Sequence, residues 1–427
     1  MKSLLEKLLA VLAQKIIKKY NPKIIGITGS MGKTSAKEAV FAVLKEKFQV
    51  RKNIKNYNNE IGVPLTVIGA ESGGSSVFRW LLVILRAFGL LLFKKNDYPE
   101  VLVLEMGADK PGDIQYLVEK FPCDVGVLTM IGPAHLENFK TLENIVKEKQ
   151  KIVTHLSKKG QAIINSDDPQ QKQVKDKVEA TVLTYGSSED SDLRGADLST
   201  VLFDSNTRGV KFKILYKGSA VPVDLPGVIG AHQINAALIG SLVGLSLELN
   251  LVEISRGLKN YKPPKGRMNL IKGKNCLVID DTYNSSPKAA KAAIKSLNEL
   301  KTENNVRKVA VMGDMLELGN SSKQQHFELG KFIAESGIDV LVTVGKYKEQ
   351  VKKGAESAGL SGQNIYLFSD SRRAETKIIK IIQKNDIVLV KGSQGSRMER
   401  IVKKLMAETS KAGELLVRQS DSWLKKS

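Results

Sequence analysis

The stretch KIIGITGSMGKTSAKEAVF, residues 23–41, decides the fold, because an apolar segment runs through a glycine-rich turn into a helix-forming segment. The common phosphate-binding loop reads G-x-x-x-x-G-K-[ST]. Counted back from the G-K-T of residues 32–34, its first glycine would fall at position 27, which is Ile27. The strand-to-helix context still predicts a shortened phosphate-binding loop, in which Gly29 and Gly32 let backbone N–H groups approach a polyphosphate. The alternative is a lysine-bearing helix cap.

The end of this loop carries the side chains that would act on a nucleotide. Lys33 would meet the β and γ phosphates, and the Thr34 hydroxyl would bind Mg²⁺. The predicted nucleotide-binding residues of the loop are Gly29, Ser30, Met31, Gly32, Lys33, Thr34 and Ser35.

Outward from the loop, short apolar strands alternate with helical stretches, as in EVLVLEMG, DVGVLTMIG and GQAIINSDD. This alternation predicts a mostly parallel sheet with crossover helices. NYKPPKGR, residues 260–267, indicates a linker, and a second α/β rhythm follows it. We therefore predict an α/β protein, with a central P-loop ATPase domain at 23–262 and a Rossmann-like C-terminal α/β domain at 263–427.

The composition limits the classes of partner that this protein could bind. A formal charge of +21 favours nucleic acid, an anionic membrane surface or anionic substrates. The lysines are spread along the chain without an arginine-rich tail, which argues against specific nucleic-acid binding. The two cysteines, Cys123 and Cys276, exclude a disulfide framework, and they lack the spacing of metal ligands.

Residues 1–22 are predicted to form an amphipathic helix. Glu6 and Lys7 interrupt its apolar run and no small-residue cleavage site follows, which argues against a signal peptide. We therefore predict a cytoplasmic protein. The apolar residues recur at helical spacing at Leu5, Leu8, Leu12 and Ile16.

The segment VFRWLLVILRAFGLLLF, residues 77–93, breaks the α/β pattern. It has 17 residues, of which only Arg79 and Arg86 are charged, and a membrane-spanning helix needs about 20 apolar residues. Since Arg79 and Arg86 share one helical stripe, one interpretation is a helix lying in the inner face of the membrane. The alternatives are a buried core helix and a dimer contact.

Several further motifs stand in a fixed order. They are NYNNEIGVPLT, LEMGADKPGDI, GPAHLENFKTLENIVKEKQKI, DDTYNSSP, VMGDMLELG and LVKGSQGSRME. With the shortened loop G-[TS]-x-G-K-[TS], they make nearly the whole chain resemble the Mur ligase family, closest to its MurF-type branch.

The resemblance implies an ATP-dependent amide ligase of cell-wall precursor synthesis. Such an enzyme activates a peptide carboxylate as an acyl phosphate and joins it to an amine, here D-Ala-D-Ala or another amine. The partner would be a muropeptide precursor, linked to UDP or to a lipid. The alternatives are another amino-acid ligase of the superfamily, acting on a lipid-linked or non-murein acceptor, and an inactive nucleotide-binding scaffold at the membrane.

The resemblance also implies a catalytic set and two Mg²⁺ ions beside ATP. Thr34 and Glu105 would hold one ion, and His135 would hold the second. Lys149 aligns with a lysine that many members carbamylate, and a carbamate there would be another ligand. The sequence reads KQK where the family has K-G-E or K-S-E, so that Lys151 replaces an acid. The catalytic candidates are Lys33, Lys149 and His135.

The remaining candidates come from the same resemblance. Arg267 would lie near the ATP phosphates. The nucleotide base and ribose would be met by His232, Asp281, Tyr283 and Asn284, and the substrates by Asn58, Asn59, Lys391 and Arg397.

The front of the chain departs from the family pattern. MurF-type enzymes carry an N-terminal UDP-binding domain of about a hundred residues, a usual domain size. Only 22 residues precede the predicted nucleotide strand here. We therefore expect that this UDP-binding domain is lacking, and a lipid-linked muropeptide would fit that expectation.

Overall fold

The computed structural model describes residues 2–54, 57–132, 136–202, 208–230, 232–300 and 306–425. The chain divides into two compact units. The first comprises Met1–Leu198, Lys211–Leu225 and Ile234–Lys262, and the second comprises Ser199–Val210, Pro226–Gln233 and Pro263–Ser427.

A nine-stranded sheet runs in the order β2-β3-β1-β4-β5-β6-β7-β8-β9. Each neighbouring pair from β2 through to β7 is parallel. The strands are β1 Lys23–Thr28, β2 Val50–Lys52, β3 Val101–Glu105, β4 Val125–Leu128, β5 Gln161–Asn165, β6 Thr181–Gly186, β7 Leu193–Leu202, β8 Arg208–Tyr216 and β9 Ser219–Pro226.

The helices of this part of the chain connect the strands and cover the sheet. They are α1 Lys2–Tyr20, α2 Lys33–Leu44, α3 Gly62–Ile68, α4 Val77–Leu92, α5 Asp113–Lys120, α6 Leu136–Phe139, α7 Leu142–Lys149, α8 Lys151–Thr154, α9 Pro169–Lys172, α10 His232–Ser246 and α11 Leu251–Lys259, with a 3₁₀ turn at Lys175–Lys177.

The N-terminal helix α1 packs into the core of the first unit. Its inward face consists of Leu9, Leu12, Ala13 and Ile16, all buried in the cluster that also contains β3 and α5 residues. Leu8, which shares the predicted apolar spacing, is exposed instead. Apolar spacing alone cannot tell the buried residues of α1 from the exposed Leu8, because α1 has more apolar residues than one face can hold.

Helix α4 is a surface helix rather than a core helix. Only Val83, Ala87 and Leu90 are buried along it, and they join the core cluster of the first unit. The fully buried alternative is therefore wrong. No helix among the described residues is long and apolar enough to cross a membrane.

The second unit is built on a six-stranded sheet in the order β10-β11-β15-β12-β13-β14. β10 is antiparallel to β11, and the other pairs are parallel. The strands are β10 Asn269–Lys272, β11 Leu277–Asp281, β12 Lys308–Gly313, β13 Val340–Val344, β14 Ile365–Phe368 and β15 Ile387–Lys391.

Helices flank this second sheet, and apolar clusters lie among them. The helices are α12 Pro287–Glu299, α13 Ser322–Glu335, α14 Lys348–Ser357, α15 Ser371–Ile381, α16 Glu399–Leu405, α17 Ala412–Leu415 and α18 Asp421–Leu424, with 3₁₀ turns at Gly319–Ser321, Gly362–Asn364, Gln394–Ser396 and Thr409–Lys411. The predicted α/β fold class, with a large, mostly parallel sheet and a second sheet domain, is confirmed.

Candidate active site

The glycine-rich loop joins the buried strand β1 to helix α2. Gly29 and Gly32 both have positive φ angles, of 151° and 87°. A Cβ atom on Gly29 would lie 1.9 Å from the Thr129 Oγ1, so this position requires glycine. The N-cap residue of α2 is Gly32, which offers no side-chain cap to the first turn of the helix.

The neighbouring strand end holds the loop in place. The amides of Ser30 and Met31 both donate to the Met130 carbonyl, at 2.9 and 3.2 Å. The Lys33 Nζ donates to the Gly29 carbonyl at 2.7 Å. The predicted ligand residue Ser35 hydrogen-bonds the buried Tyr261, whose phenol pKa is raised by burial. Thus the amides of Ser30 and Met31 are satisfied by the protein backbone.

Glu105 ends β3 beside the loop, because its register pairs it with Ile27 of β1. The carboxylate is buried. Its Oε1 lies 3.3 Å from the Asn58 Nδ2, and its Oε2 lies 3.5 Å from the Lys37 Nζ. Both contacts are long for a buried carboxylate, so lone pairs of Glu105 remain available to a cation.

Two residues that the sequence did not single out fix Glu105. Asn53 is buried, and its side chain binds the Glu105 backbone on both sides, accepting from the amide at 2.5 Å and donating to the carbonyl at 3.4 Å. Lys37 is only 2% exposed, and its Nζ donates to the Asn53 carbonyl at 3.1 Å. One signal for Lys37 was present in the sequence, since it lies one helical turn after Lys33.

Lys149 ends α7 and is only 2% exposed. Its Nζ has no hydrogen-bond or ion-pair partner within the described ranges. Burial, together with the nearby positive charge of Lys33, lowers the pKa of Lys149 to about 7. A large fraction of this amine is therefore neutral near pH 7.

The acid next to Lys149 has a separate task. Burial raises the pKa of Glu148, but hydrogen bonds from backbone amides and from Lys151 outweigh it, so that the pKa is lowered overall. Its Oε1 accepts from the Ile114 amide at 2.7 Å, at the start of α5, and its Oε2 pairs with the Lys151 Nζ at 2.9 Å. Lys151, which departs from the family pattern, is thus paired with an acid.

A cavity of about 840 Å³ brings many of the predicted residues together within the first unit. The predicted residues that line it are Gly29, Ser30, Lys33, Asn58, Asn59 and Lys149. Asn59 also has a local role, because its Oδ1 accepts from the Gly62 amide at 3.0 Å. Glu6 and Lys7 of α1 line the same cavity, which the sequence did not predict.

For the two predicted histidines, the side-chain positions are not described. His135 lies outside the described residues. His232 is the first residue of α10.

In the second unit, the ends of β11 and β15 bring Asp281 and Lys391 together. The two residues are register partners, and the Lys391 Nζ lies 2.6 Å from the Asp281 Oδ2. The same Nζ donates to the Asn284 carbonyl at 2.9 Å. Lys391 is only 1% exposed. It therefore orders this loop from within.

The other predicted nucleotide residues of this unit also meet. The Arg267 guanidinium lies over the Tyr283 ring, 4.2 Å from its centroid. Arg418, which the sequence analysis did not single out, donates to the carbonyls of Thr282 and Tyr283. The loop that carries Tyr283 is thus held by a residue near the end of the chain.

Arg397 belongs to a buried charge cluster. It has a positive φ of 52°, and its Nε donates to the Glu399 Oε1 at 2.6 Å. The other Glu399 oxygen accepts from Arg418 at 3.1 Å. Arg397 also lines a second cavity of about 590 Å³, together with Lys346, Arg372, Arg373, Arg400 and Asp314. This cavity suits an anionic group.

Sequence comparisons bear on this geometry. The profile described as "Mur ligase middle domain" matches residues 88–244, and "Mur ligase, glutamate ligase domain" matches residues 266–394. A UDP-N-acetylmuramoyl-tripeptide–D-alanyl-D-alanine ligase of Buchnera aphidicola is 30% identical over 394 residues, covering 92% of this chain and 77% of the relative. The chain belongs to the Mur ligase family. A ligase of the same name from Bacillus subtilis is 29% identical over 396 residues, with 92% and 78% covered.

Solved structures agree with this membership. MurF from Acinetobacter baumannii superposes with a TM-score of 0.77 and 27% identity, covering 95% of this chain and 80% of that one. MurF ligase from Thermotoga maritima, in complex with ADP, gives a TM-score of 0.75 and 29% identity, with 95% and 84% covered. The predicted enzyme class, an ATP-dependent acid–amino-acid ligase, is confirmed by these relatives.

Proposed function

We propose that this Mur ligase joins D-alanyl-D-alanine, or a closely related amine, to the free carboxylate of a muramoyl peptide. The observation that carries the proposal is the first cavity, where the phosphate-loop Lys33 shares one space with the buried Lys149 and with Asn58. The names of the relatives supply the substrates.

The reaction has two steps. The peptide carboxylate attacks the γ-phosphorus of ATP, forming an acyl phosphate and releasing ADP. The amine then attacks the acyl carbon and gives up a proton, and inorganic phosphate leaves with the electron pair of the broken C–O bond. Lys33 and the N-terminus of α2 would neutralise the transferring phosphoryl group. Most of the protein's contribution is positioning and charge neutralisation.

The residues around Glu105 fit a magnesium ion. The candidate ligands are oxygen atoms of Thr34 and Glu105, which is the ligand type that Mg²⁺ prefers. Within the described ranges no group of three or more His, Cys, Asp or Glu residues is gathered for a metal. That suits Mg²⁺, which is commonly held by one or two carboxylates together with substrate phosphates and water. The ion would neutralise phosphate charge. A second ion is proposed at His135.

Lys149 fits carbamylation. The reaction with CO₂ needs a neutral amine, forms an N–C bond and releases one proton. Burial lowers the pKa of Lys149 to about 7, so a neutral amine is present near pH 7. The resulting carbamate anion would be a ligand of the second ion. We expect CO₂-free buffer to lower turnover by about tenfold and bicarbonate to restore it. Turnover that is indifferent to CO₂ would rule out the carbamate.

The second cavity fits the carboxylate end of the incoming amine. D-Ala-D-Ala carries one free carboxylate, and guanidinium groups bind carboxylates in a bidentate manner. Arg397, Arg372 and Arg400 line this cavity. Lys391 would act through the loop of Asn284.

The carrier of the muramoyl peptide is proposed to be UDP or a lipid. A ligase that acts on a lipid-linked acceptor would work at the inner face of the membrane, in peripheral contact with it.

The test is phosphate release by the purified full chain with Mg-ATP, UDP-N-acetylmuramoyl tripeptide and D-Ala-D-Ala. We expect release that needs both substrates and a product heavier by one dipeptide residue, measured by mass spectrometry. Lys33→Ala should abolish release, while Lys384→Ala, on an exposed lysine of the second unit, should not.

Each contrary result points elsewhere. Phosphate release without an acceptor would leave only an ATPase. Product formed with another amine, or only with a lipid-linked acceptor, would replace D-Ala-D-Ala or the UDP carrier in the proposal.

A further inference from the structure

Exposed apolar side chains are concentrated on two helices. Eighteen large apolar side chains are exposed in the part of the chain that the structure describes, and eleven of these lie on α1, on α4 or at Phe93. Scattered exposed apolar residues need no explanation, whereas a contiguous group marks a contact surface.

The exposed residues form one stripe on each helix. On α1 they are spaced three and four residues apart, at Leu4, Leu8 and Val11, and the stripe continues into the exposed Lys15 and Lys18. On α4 and the residue after it, they are 46–84% exposed, at Val77, Phe78, Leu81, Leu82, Leu85, Phe88, Leu92 and Phe93.

Helices α1 and α4 lie side by side, and their C-terminal ends are tied together by hydrogen bonds. The Lys19 Nζ donates to the carbonyls of Leu90 and Leu91, both at 2.9 Å. The Tyr20 hydroxyl donates to the Leu90 carbonyl at 3.0 Å and accepts from the Lys95 amide at 3.1 Å. We call the exposed sides of α1 and α4 together the α1–α4 surface.

The stretch that contains α4 carries only basic charges. No acidic residue occurs from Ser72 to Asn96, a stretch that contains Arg79, Arg86, Lys94 and Lys95. The partner of this surface therefore combines an apolar interior with negative charge at its edge.

We propose that the α1–α4 surface docks on an anionic lipid bilayer, with α4 lying in the plane of the interface. The helix has 16 residues, which corresponds to about 24 Å and is shorter than the hydrocarbon core of about 30 Å. Its apolar stripe would enter the acyl boundary, and the basic residues would contact the headgroups.

A second copy of this chain fits the surface less well. Self-association through α4 would bring two sets of arginines and lysines together, and this stretch contributes no acid to compensate them. Like charges facing one another across an interface oppose association.

Docking would also place the first cavity near the membrane. Glu6 and Lys7, on the same helix as Leu4 and Leu8, line that cavity. A lipid-linked acceptor could then reach the cavity while its chain stays in the bilayer. This consequence rests on the proposed function, whereas docking itself does not.

The test is flotation of the full chain with vesicles of phosphatidylcholine alone or with about one third phosphatidylglycerol. We expect binding to the anionic vesicles that weakens with salt, and much weaker binding to the neutral ones. The variant Leu81→Gln/Leu85→Gln/Phe88→Gln should bind about 100-fold more weakly.

Matched variants separate docking from damage to the fold. Val252→Gln/Tyr366→Gln/Ile379→Gln changes three exposed apolar residues elsewhere and should bind like the wild type. Lys94→Glu/Lys95→Glu should bind anionic vesicles about tenfold more weakly. The melting temperature and the ligation of soluble substrates should be unchanged in the triple α4 variant.

The outcomes are distinct. The proposal is overturned if the wild-type protein does not bind anionic vesicles, or if the triple α4 variant binds them as well as the wild type. A wild-type dimer in light scattering that the α4 variant abolishes assigns the surface to a second copy instead. Vesicle binding without ligation leaves docking intact and overturns only the proposed reaction.

Discussion

Each unit of this protein buries a predicted site lysine, and the two lysines differ in their partners. In the second unit, Lys391 lies 2.6 Å from the Asp281 carboxylate. In the first, Lys149 has no hydrogen-bond or ion-pair partner among the described residues, and burial lowers its pKa to about 7. The exposures of the two are nearly equal, at 1% and 2%. Burial therefore does not decide whether a lysine is a structural cation or a reactive amine; the counter-charge decides it.

The difference has an energetic meaning. A paired buried lysine is costly to remove, because its acid is left alone in a poorly solvated place. An unpaired one destabilises the folded protein whenever it is charged. We therefore expect such a lysine to be retained for function rather than for stability.

The largest effect should follow from breaking the pair. Lys391→Met leaves Asp281 buried without its cation and should lower the free energy of unfolding by about 3–5 kcal/mol. Urea unfolding would measure this, with Lys384→Met as the exposed control expected within about 0.5 kcal/mol of the wild type. A loss below about 1 kcal/mol would show that the pair is not structural.

Lys149→Met should raise the stability of the protein and remove its activity. Turnover should fall by about 100-fold or more if this amine or its carbamate serves the reaction. The melting temperature in CO₂-free buffer should rise, because the pKa shift corresponds to an upper bound of about 5 kcal/mol at neutral pH. A variant that melts earlier than the wild type would contradict the unpaired state of Lys149.

Lys37 offers an intermediate case. It is as buried as Lys149, but its Nζ lies 3.5 Å from Glu105 and 3.1 Å from the Asn53 carbonyl. By the same rule it is structural, and Lys37→Met should destabilise the fold by about 1–3 kcal/mol. Calorimetry beside Lys45→Met, a change just after the same helix, would measure it. An increase in stability would place Lys37 with Lys149 instead.

The smallest effect is a slope in the pH dependence of stability. The folded pKa of Lys149, about 7, lies below its unfolded value of 10.5. Between these values the unfolded state binds more protons, so stability rises with pH, by up to about 1.4 kcal/mol per unit. The penalty is complete below pH 7 and is relieved towards pH 10.5. Measuring the free energy of unfolding at pH 7, 8 and 9 in CO₂-free buffer would show this slope. The Lys149→Met variant should lack this part of the slope.

The sequence predicted what depends on local order along the chain. The strand, loop and helix around Gly29 carry their own signal, because glycine positions and apolar periodicity are local properties. The α/β alternation and the family membership followed from the same kind of pattern. The site roles of Lys33, Lys149 and Glu105 stay predictions, although Lys33 and Lys149 line one cavity.

What the sequence could not show depends on packing between distant segments. Asn53 looks like an ordinary loop residue until β2 and β3 pair and bring it to the Glu105 backbone. Arg418 is one of many basic residues, and its partners Thr282 and Tyr283 lie well over a hundred positions earlier. The outward position of Leu8 likewise depends on which side of α1 the core occupies.

The ties between α1 and α4 also bear on how the chain is made. Synthesis proceeds from the N-terminus, and segments can begin to fold as they emerge. Helix α1 therefore leaves the ribosome some 60 residues before α4, the most apolar stretch of the chain. When Val83, Ala87 and Leu90 appear, the helix whose Lys19 and Tyr20 will bind the end of α4 is already available. We therefore expect the order of the two helices to shorten the time for which the inner side of α4 stays uncovered during synthesis.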